Sequence, residues 1–446
     1  MWSRFLVAWA TFAAAMANDS DSTSITLLTF NVRTTLANDP CPCGCWADRK
    51  QYVRQQVDEI APDMFGLQET SLEQKDTFDD LFGDEYGNIG RDSGSYQGRA
   101  GEINAIYFKA DTWSLLSDSM VWLGPDPSQP SAAWGMVYYR TAVFGRFRHT
   151  ATGQTVCVFN THYETPGNDL AQVEGTNVIL ATMLDACDLS QDAVFFMGDM
   201  NAEPFTYAMQ LATTFPPLPL QTTLLTTDQG GSWCNNMVDP PSKCAGVIDH
   251  VLYYANPSVA SICVREAQIV RRDFDGCYVS DHALVYATLD IGTPANDQCN
   301  APPPNAPIDG CGVPEANTDY GGAVVAVVPG ASLGDCCDFC KQDTRCNAYS
   351  LASDGTCYLK GARGLASRKY GVQSARVLKC TAVDADTDHM AEDIGSAASY
   401  LPEDCCALCR AFDGCEAFSW TNSKCYFKGG QGTTVPRAGV HSAIVL

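Results

Sequence analysis

The sequence predicts a large α+β domain followed by two small disulfide-rich α+β modules. Three observations carry this expectation. Apolar runs of strand character alternate with helical patterns as far as residue 291, and most of the runs end in a polar residue. Cysteine is unevenly spread, with nine residues between Cys41 and Cys277 and thirteen between Cys299 and Cys425. The cysteine-rich tail then repeats itself at an offset of 69 residues.

At the N-terminus, Arg4 and the apolar run 5–15 lead into Ala15-Met16-Ala17, the pattern of a signal peptide over residues 1–17. Asn18-Asp19-Ser20-Asp21 breaks the run before it reaches the ~20 apolar residues of a membrane span. A secreted, extracellular protein without stable membrane insertion is expected, and an even count of 22 cysteines agrees with an oxidising compartment.

The first, larger domain is expected over residues 18–291. Residues 25–32 read as a buried strand, 46–60 as a helix with Val53, Val57 and Ile60 on one face, and 63–69 as a strand ending in a carboxylate. Further strands are expected at 105–108, 141–148, 155–160, 193–197, 248–254 and 284–289, with helices at 170–186 and 205–212. A proline-rich linker, 292–310, favours extended spacer conformation.

Modules are expected at 311–379 and 380–446. The offset places Cys311 on Cys380, Cys336-Cys337 on Cys405-Cys406, Cys340 on Cys409 and Cys346 on Cys415, and a one-residue deletion aligns Cys357 with Cys425. Units this small need cross-links to offset the entropy of folding. The paired cysteines, Tyr349 and Phe418, and the Cys-Tyr-x-Lys endings resemble PAN/Apple modules. That resemblance implies binding of carbohydrate or extracellular protein.

A net charge of −24 argues against tight, sequence-indifferent binding to a polyanion, which draws on many lysines and arginines. A polyanionic substrate is still compatible with it, because a carboxylate-bound divalent cation supplies positive field locally.

Six segments place an acid, amide or histidine at or beside a strand: Thr29-Phe30-Asn31-Val32-Arg33, Leu67-Gln68-Glu69, Asn160-Thr161-His162, Gly198-Asp199-Met200-Asn201, Ile248-Asp249-His250 and Ser280-Asp281-His282. Cleaving a phosphoric ester needs a hard cation, an activated water and a proton source for the leaving oxygen. In this order the motifs resemble the endonuclease/exonuclease/phosphatase superfamily over residues 24–291.

The resemblance implies a four-layer α/β/β/α sandwich of two packed mixed sheets flanked by helices. It also implies a metal site at Glu69, assisted by Asn31 and Asp281, for magnesium or manganese, with calcium as the alternative. Asp199 would orient or deprotonate the attacking water, and Asn201 would hold a phosphate oxygen. His282 would donate to the phosphoryl group with Asp249 orienting it, and His162 would act with Glu102 as its carboxylate partner. Arg140 is a candidate substrate contact, with a surface salt bridge as the competing reading.

The expected activity is that of a secreted, divalent-metal-dependent phosphodiesterase, nuclease-like, with nucleic acid as the expected substrate. Two alternatives stay open: a sphingomyelinase or phospholipid phosphodiesterase, and an extracellular adhesin with an inactive enzyme domain. The segment 215–220 is the one candidate for a membrane hairpin and reads better as core packing. Cys41-Pro42-Cys43-Gly44-Cys45 is expected to form disulfides, with a soft-metal site as the alternative.

Overall fold

The computed structural model describes residues 22–215, 217–224, 230–257, 260–292 and 310–446. The expected signal peptide and nearly all of the expected linker lie outside the described residues.

The first part of the chain runs β1 (Thr23–Asn31), α1 (Trp46–Ile60), β2 (Met64–Thr70), α2 (Leu72–Phe82), β3 (Tyr86–Ile89), β4 (Ile103–Lys109), β5 (Trp113–Trp122), β6 (Thr141–His149), β7 (Thr155–His162) and α3 (Asp169–Ala186). It continues through β8 (Ala193–Asp199), α4 (Tyr207–Thr214), β9 (Gln221–Thr222), β10 (Asp249–Tyr254), β11 (Ile262–Val270) and β12 (Leu284–Ile291). Two six-stranded sheets result, ordered β11-β12-β1-β2-β4-β3 and β5-β6-β7-β8-β10-β9. Both are mixed, because β1 pairs with β2 and β7 with β8 in parallel while the other ladders are antiparallel.

Side-chain alternation along β1 shows how four layers arise. Ile25 and Leu27 enter the core between the two sheets, where they meet Val158, Phe195 and Met197 of the second sheet. Leu28 and Phe30 point the other way, onto Val53 and Val57 of α1 and Phe78 and Phe82 of α2. A third core lies between the second sheet and α3 and α4, built on Phe159, Phe196, Ile179, Leu180 and Leu211. A strand buried on both faces must be apolar at almost every position, which is why these strands read as continuous apolar runs.

Several elements have weak signals. Helix α2 buries only Gln74, Phe78 and Phe82, and its start is fixed by a capping box between Ser71 and Gln74. Strands β5 and β11 lie at sheet edges, and most of β5 is exposed. Leu218 and Leu220 are buried, so that part of the candidate membrane hairpin belongs to the core. Among the described residues no helix is long and apolar enough to cross a membrane.

The tail forms two similar cysteine-stapled modules. The first contains β13 (Glu315–Tyr320), β14 (Val324–Val328), α5 (Leu333–Gln342), β15 (Ala348–Leu351), β16 (Cys357–Lys360) and β17 (Ala366–Arg376), in one sheet ordered β13-β17-β15-β16-β14. The second contains β18 (Thr387–Met390), β19 (Asp393–Ala398), α6 (Asp404–Arg410), β20 (Ala417–Thr421), β21 (Lys424–Lys428), β22 (Thr433–Pro436) and β23 (His441–Ile444). Its strands form a β18-β22 pair and a sheet ordered β19-β21-β20-β23.

Disulfides follow the repeat: Cys311–Cys337, Cys336–Cys357 and Cys340–Cys346 in one module, Cys380–Cys406, Cys405–Cys425 and Cys409–Cys415 in the other. The cysteines are themselves the centre of each core, beside Tyr349 or Phe418. Cys41–Cys45 closes the loop after β1 on itself and Cys43–Cys277 joins it to the loop before β12, which sets aside the soft-metal alternative. Among the described residues no cysteine is free. The modules pack directly on the enzyme domain, as shown by Tyr207 against Tyr400 at 4.9 Å between ring centres.

Candidate active site

Strand register brings the second sheet's motifs into one row. His162 pairs with Asp199 across β7 and β8, and Asp199 pairs with Asp249 across β8 and β10. Gly198 makes this close row possible: its φ is +151°, and a Cβ there would lie 2.2 Å from the Thr161 carbonyl oxygen. From the first sheet, β1 brings Asn31 to the same rim. The β2–β4 ladder shifts register between Leu67 and Thr70, and Glu69 within that shift adopts φ +59°. Arg33 and Asn201 are also left-handed, at φ +57° and +45°. Such conformations persist where surrounding contacts over-determine them, and they cluster at functional sites.

Arg33, Glu69, His162, Asp199 and Asn201 line a cleft of about 670 Å³ that also includes Arg99, Tyr138, Trp233, Asp281 and His282. Asp199 lies at its base. Oδ2 accepts from Asn31 Nδ2 at 2.8 Å and lies 3.5 Å from His162 Nε2 and 3.6 Å from His282 Nε2, while Oδ1 accepts from the Asn201 backbone N–H at 2.9 Å. Burial pushes this carboxyl up, but the two imidazoles and Asn31 outweigh it, so its pKa falls below the ordinary value.

Each histidine has its own carboxylate. His282 Nδ1 lies 3.0 Å from Asp249 Oδ2, and the backbone of Asp249 donates to Ser232 Oγ at 3.0 Å. Burial alone would lower the His282 pKa, yet Asp249 and Asp199 hold it well above the usual imidazole value. Asp249 is pushed up to about 6, first by burial and then by Asp199, against the opposing pull of His282. His162 Nδ1 meets Glu102 Oε2 at 3.2 Å and Arg140 Nη1 at 2.9 Å. That nitrogen either carries a proton donated to Glu102 or accepts one from Arg140. Burial would raise Glu102, but His162 and Arg140 bring it below its ordinary value.

Arg140 is 3% exposed, so it is not a surface ion pair. It lines the cleft while reaching Glu102 at 3.4 Å and Glu164 at 3.9 Å, and thereby braces His162. Asn201 Nδ2 donates to the Tyr163 carbonyl at 3.1 Å. Asn31 turns its nitrogen, rather than its oxygen, toward Glu69, donating at 3.0 Å, while its Oδ1 accepts from the Arg33 backbone N–H.

Glu69 and Asp281 both open on the cleft. Arg33 lies 3.4 Å from Asp281, and Asp39, followed by Asp281 and Glu69, raises its pKa despite burial. Glu69 also accepts from Asn31 Nδ2 and the Thr34 N–H, and two carboxylates lining one cleft, loosely countered by one arginine, are a donor set that fits a hard divalent cation. Asp199, Asp249 and His282 also come close enough to surround an ion. They are buried and already joined by a protonated imidazole, so that triad is the poorer metal site.

Several contributors carry no motif. Arg49 is buried and donates to the carbonyls of Val32 at 2.8 Å, Val279 at 2.6 Å and Arg33 at 3.0 Å, tying the end of β1 to the Asp281 segment. Burial lowers its pKa to about 10. Asn160 donates to the carbonyls of Leu67 and Ala105, stitching the two sheets beneath the cleft. His250 donates from Nε2 to the Ala202 carbonyl at 2.9 Å, and burial lowers its pKa to about 4, which makes it a neutral packing residue.

Paired imidazole–carboxylate groups around a shared aspartate, with two more carboxylates opposite, define a phosphoric ester hydrolase. The family model described as Endonuclease/Exonuclease/phosphatase family matches residues 28–282, more than half of the chain, and the chain belongs to that family. Enzymes of this family are generally dependent on a divalent metal. A PAN domain model matches residues 318–360 and 387–433.

Among solved structures, an endonuclease/exonuclease/phosphatase from Bacteroides vulgatus is similar at 23% identity, covering 60% of this chain and 98% of its own, with a TM-score of 0.51. A mannosyl-6-phosphatase from Bacteroides thetaiotaomicron is similar at 23% identity over 59% of this chain and 99% of its own, with a TM-score of 0.50. A functionally unknown conserved protein from Enterococcus faecalis is similar at 22% identity over the same shares, also with a TM-score of 0.50. At these identities the likeness establishes the fold. No curated protein matches the chain.

Proposed function

We propose that this chain is a secreted, magnesium- or manganese-dependent phosphodiesterase with nuclease-like chemistry, carried to its place of action by two modules that bind carbohydrate or extracellular protein. The observation that carries the reading is the convergence of His162 and His282 on one oxygen of Asp199, each backed by its own carboxylate.

Glu69 and Asp281, with Asn31 beside them, would hold the cation, which when bound supplies positive charge to the phosphoryl oxygens. Asp199 orients the attacking water and accepts its proton. His282, kept protonated by Asp249 and Asp199, donates a hydrogen bond from Nε2 to a phosphoryl oxygen. His162 does the same from its side, with Arg140 and Glu102 setting its proton. Asn201 holds a further oxygen of the phosphoryl group.

A second reading is favoured by the basic groups of the cleft. Two of its three guanidinium groups, Arg33 and Arg140, are paired with carboxylates, and Arg99 donates to the Tyr138 hydroxyl at 2.8 Å. A nucleic-acid groove uses free basic groups that track the backbone. A small phosphorylated sugar, stacked on Tyr138 or the half-exposed Trp233, needs no such track. The mannosyl-6-phosphatase with a similar fold is compatible with this reading.

The test is a panel of DNA, RNA, bis-(4-nitrophenyl) phosphate, sphingomyelin, phosphoinositides and mannose 6-phosphate, each with magnesium and with chelator. Metal-dependent cleavage of the diesters supports the first reading. Turnover confined to the sugar monoester selects the second.

A further inference from the structure

The loop carrying Asp199 and Asn201 is held from two sides. Within the enzyme domain, the Met200 N–H donates to the Ile248 carbonyl at 2.8 Å, Gln172 Nε2 donates to the Asn201 carbonyl at 3.0 Å and His250 Nε2 to that of Ala202 at 2.9 Å. Beyond Ala202, the Thr206 N–H donates to the Glu203 carbonyl at 2.9 Å and Gln210 Nε2 to that of Pro204 at 3.2 Å. Glu203, Phe205 and Tyr207 in addition meet the first module.

Arg368 on β17 forms an ion pair with Glu203. Arg363 Nη2 donates to the Phe205 carbonyl at 2.6 Å, and the Tyr207 hydroxyl donates to the Gly364 carbonyl at 3.4 Å. The Arg363 guanidinium lies between two aromatic rings, 5.2 Å from Tyr207 of α4 and 5.0 Å from Tyr320 of the module, and its side chain is 1% exposed. One turn further along α4, Gln210 accepts from Arg376 Nη1 at 3.3 Å. A planar guanidinium stacked on aromatic faces and hydrogen-bonded in its plane is fixed in orientation as well as in place.

We propose that the first module is a positioning element of the active site: Arg368 and Arg363 fix residues 203–205 and, through them, Asp199 and Asn201. This rests on the reading of Asp199 and Asn201 as catalytic. Asn201 sits at φ +45°, a conformation that needs support from its surroundings, and Glu203 follows it by two residues. Catalytic groups must be held within ~0.5 Å of their working geometry by the residues that support them, and the links to the first module add to the restraint that the enzyme domain supplies. The module therefore contributes to turnover without touching substrate, and Arg363 and Arg368 are positioning residues rather than catalytic ones.

The experiment uses the full chain, with Arg368→Glu, Glu203→Arg and the combined charge swap, assayed on bis-(4-nitrophenyl) phosphate with magnesium. Amide hydrogen exchange over residues 199–206 is measured in parallel. Each single reversal is expected to lower kcat about 10-fold with KM changed less than about 2-fold, and to speed exchange in that loop, because misplacement rather than binding is at issue. The swap is expected to bring kcat and exchange back to within about 3-fold of the starting protein, as a paired interaction requires. Unchanged kcat and exchange in the single variants would overturn the proposal, as would a swap no better than either single change. Arg368→Ala, which adds no opposing charge, covers the case of a reversal that does not fold: unaltered kcat and exchange in that variant likewise overturn it. If the starting protein hydrolyses no phosphoric ester, the proposed function fails separately, and the exchange measurement alone still decides whether the module holds the loop.

Discussion

His282 and Asp249 are held 3.0 Å apart, imidazole Nδ1 to carboxylate Oδ2, with both side chains buried. The pair keeps the imidazole protonated and aims Nε2 into the cleft. Replacing His282 with alanine is expected to lower the single-turnover rate by about 10²- to 10⁴-fold, the usual effect of losing a proton-donating group. Asp249→Asn, which keeps the shape and removes the charge, should produce a smaller loss with little change in KM. A near-normal rate in both variants would remove this pair from the mechanism.

The same pair fixes the pH dependence. Asp249 has a pKa raised to about 6, so it takes up a proton as pH falls through that value. Its hold on the His282 imidazolium is then lost. The kcat profile is expected to decline on the acid side with a midpoint near 6, and Asp249→Asn should abolish that limb along with most of the activity. The profile of kcat over pH 4.5 to 8 in constant ionic strength checks it; a flat profile through this range contradicts the assignment.

On the other side of Asp199, His162→Ala is expected to cost about 10²- to 10⁴-fold in single-turnover rate. The double variant with His282→Ala should lose less than the product of the single losses, because groups acting as one unit are not additive. Arg140→Lys should also lower kcat, since a lysine cannot reach His162, Glu102 and Glu164 in one plane. Fully multiplicative losses would show that the two histidines act independently.

Much of this was legible in the sequence because buried strands write themselves as apolar runs and the functional groups sit just at their ends. The helix at 46–60 and the cysteine repeat of the tail follow directly from spacing, whereas the choice of which cysteines pair does not. The helix expected at 205–212 starts instead at Tyr207, because the residues before it are drawn into contact with the first module. Helix α2 and strands β3, β5 and β11 carry little signal, since a short or half-exposed element needs few apolar residues. The pairing of Arg140 with His162 and the carbonyl clamp of Arg49 depend on long-range geometry that no local pattern encodes.

Arg49 offers a stability test independent of chemistry. Arg49→Met keeps the side chain's bulk and leaves the carbonyls of Val32, Arg33 and Val279 without their donor. A loss of about 3 kcal/mol is expected, from buried acceptors left unpaired at about 1 to 3 kcal/mol each with partial relaxation. Denaturant midpoints with the disulfides intact measure it, and an unchanged midpoint would show that the clamp is dispensable.

The central claim is metal-dependent ester hydrolysis at Glu69 and Asp281. The measurement that tests it most directly is the release of nitrophenolate from bis-(4-nitrophenyl) phosphate while magnesium is titrated into the metal-stripped full chain, alongside Glu69→Gln. A saturable rise from near zero is expected in the unaltered protein and, for Glu69→Gln, a rate lower by at least about 10²-fold at any magnesium concentration. Full turnover in the presence of chelator, or an unaltered metal titration in Glu69→Gln, would contradict it.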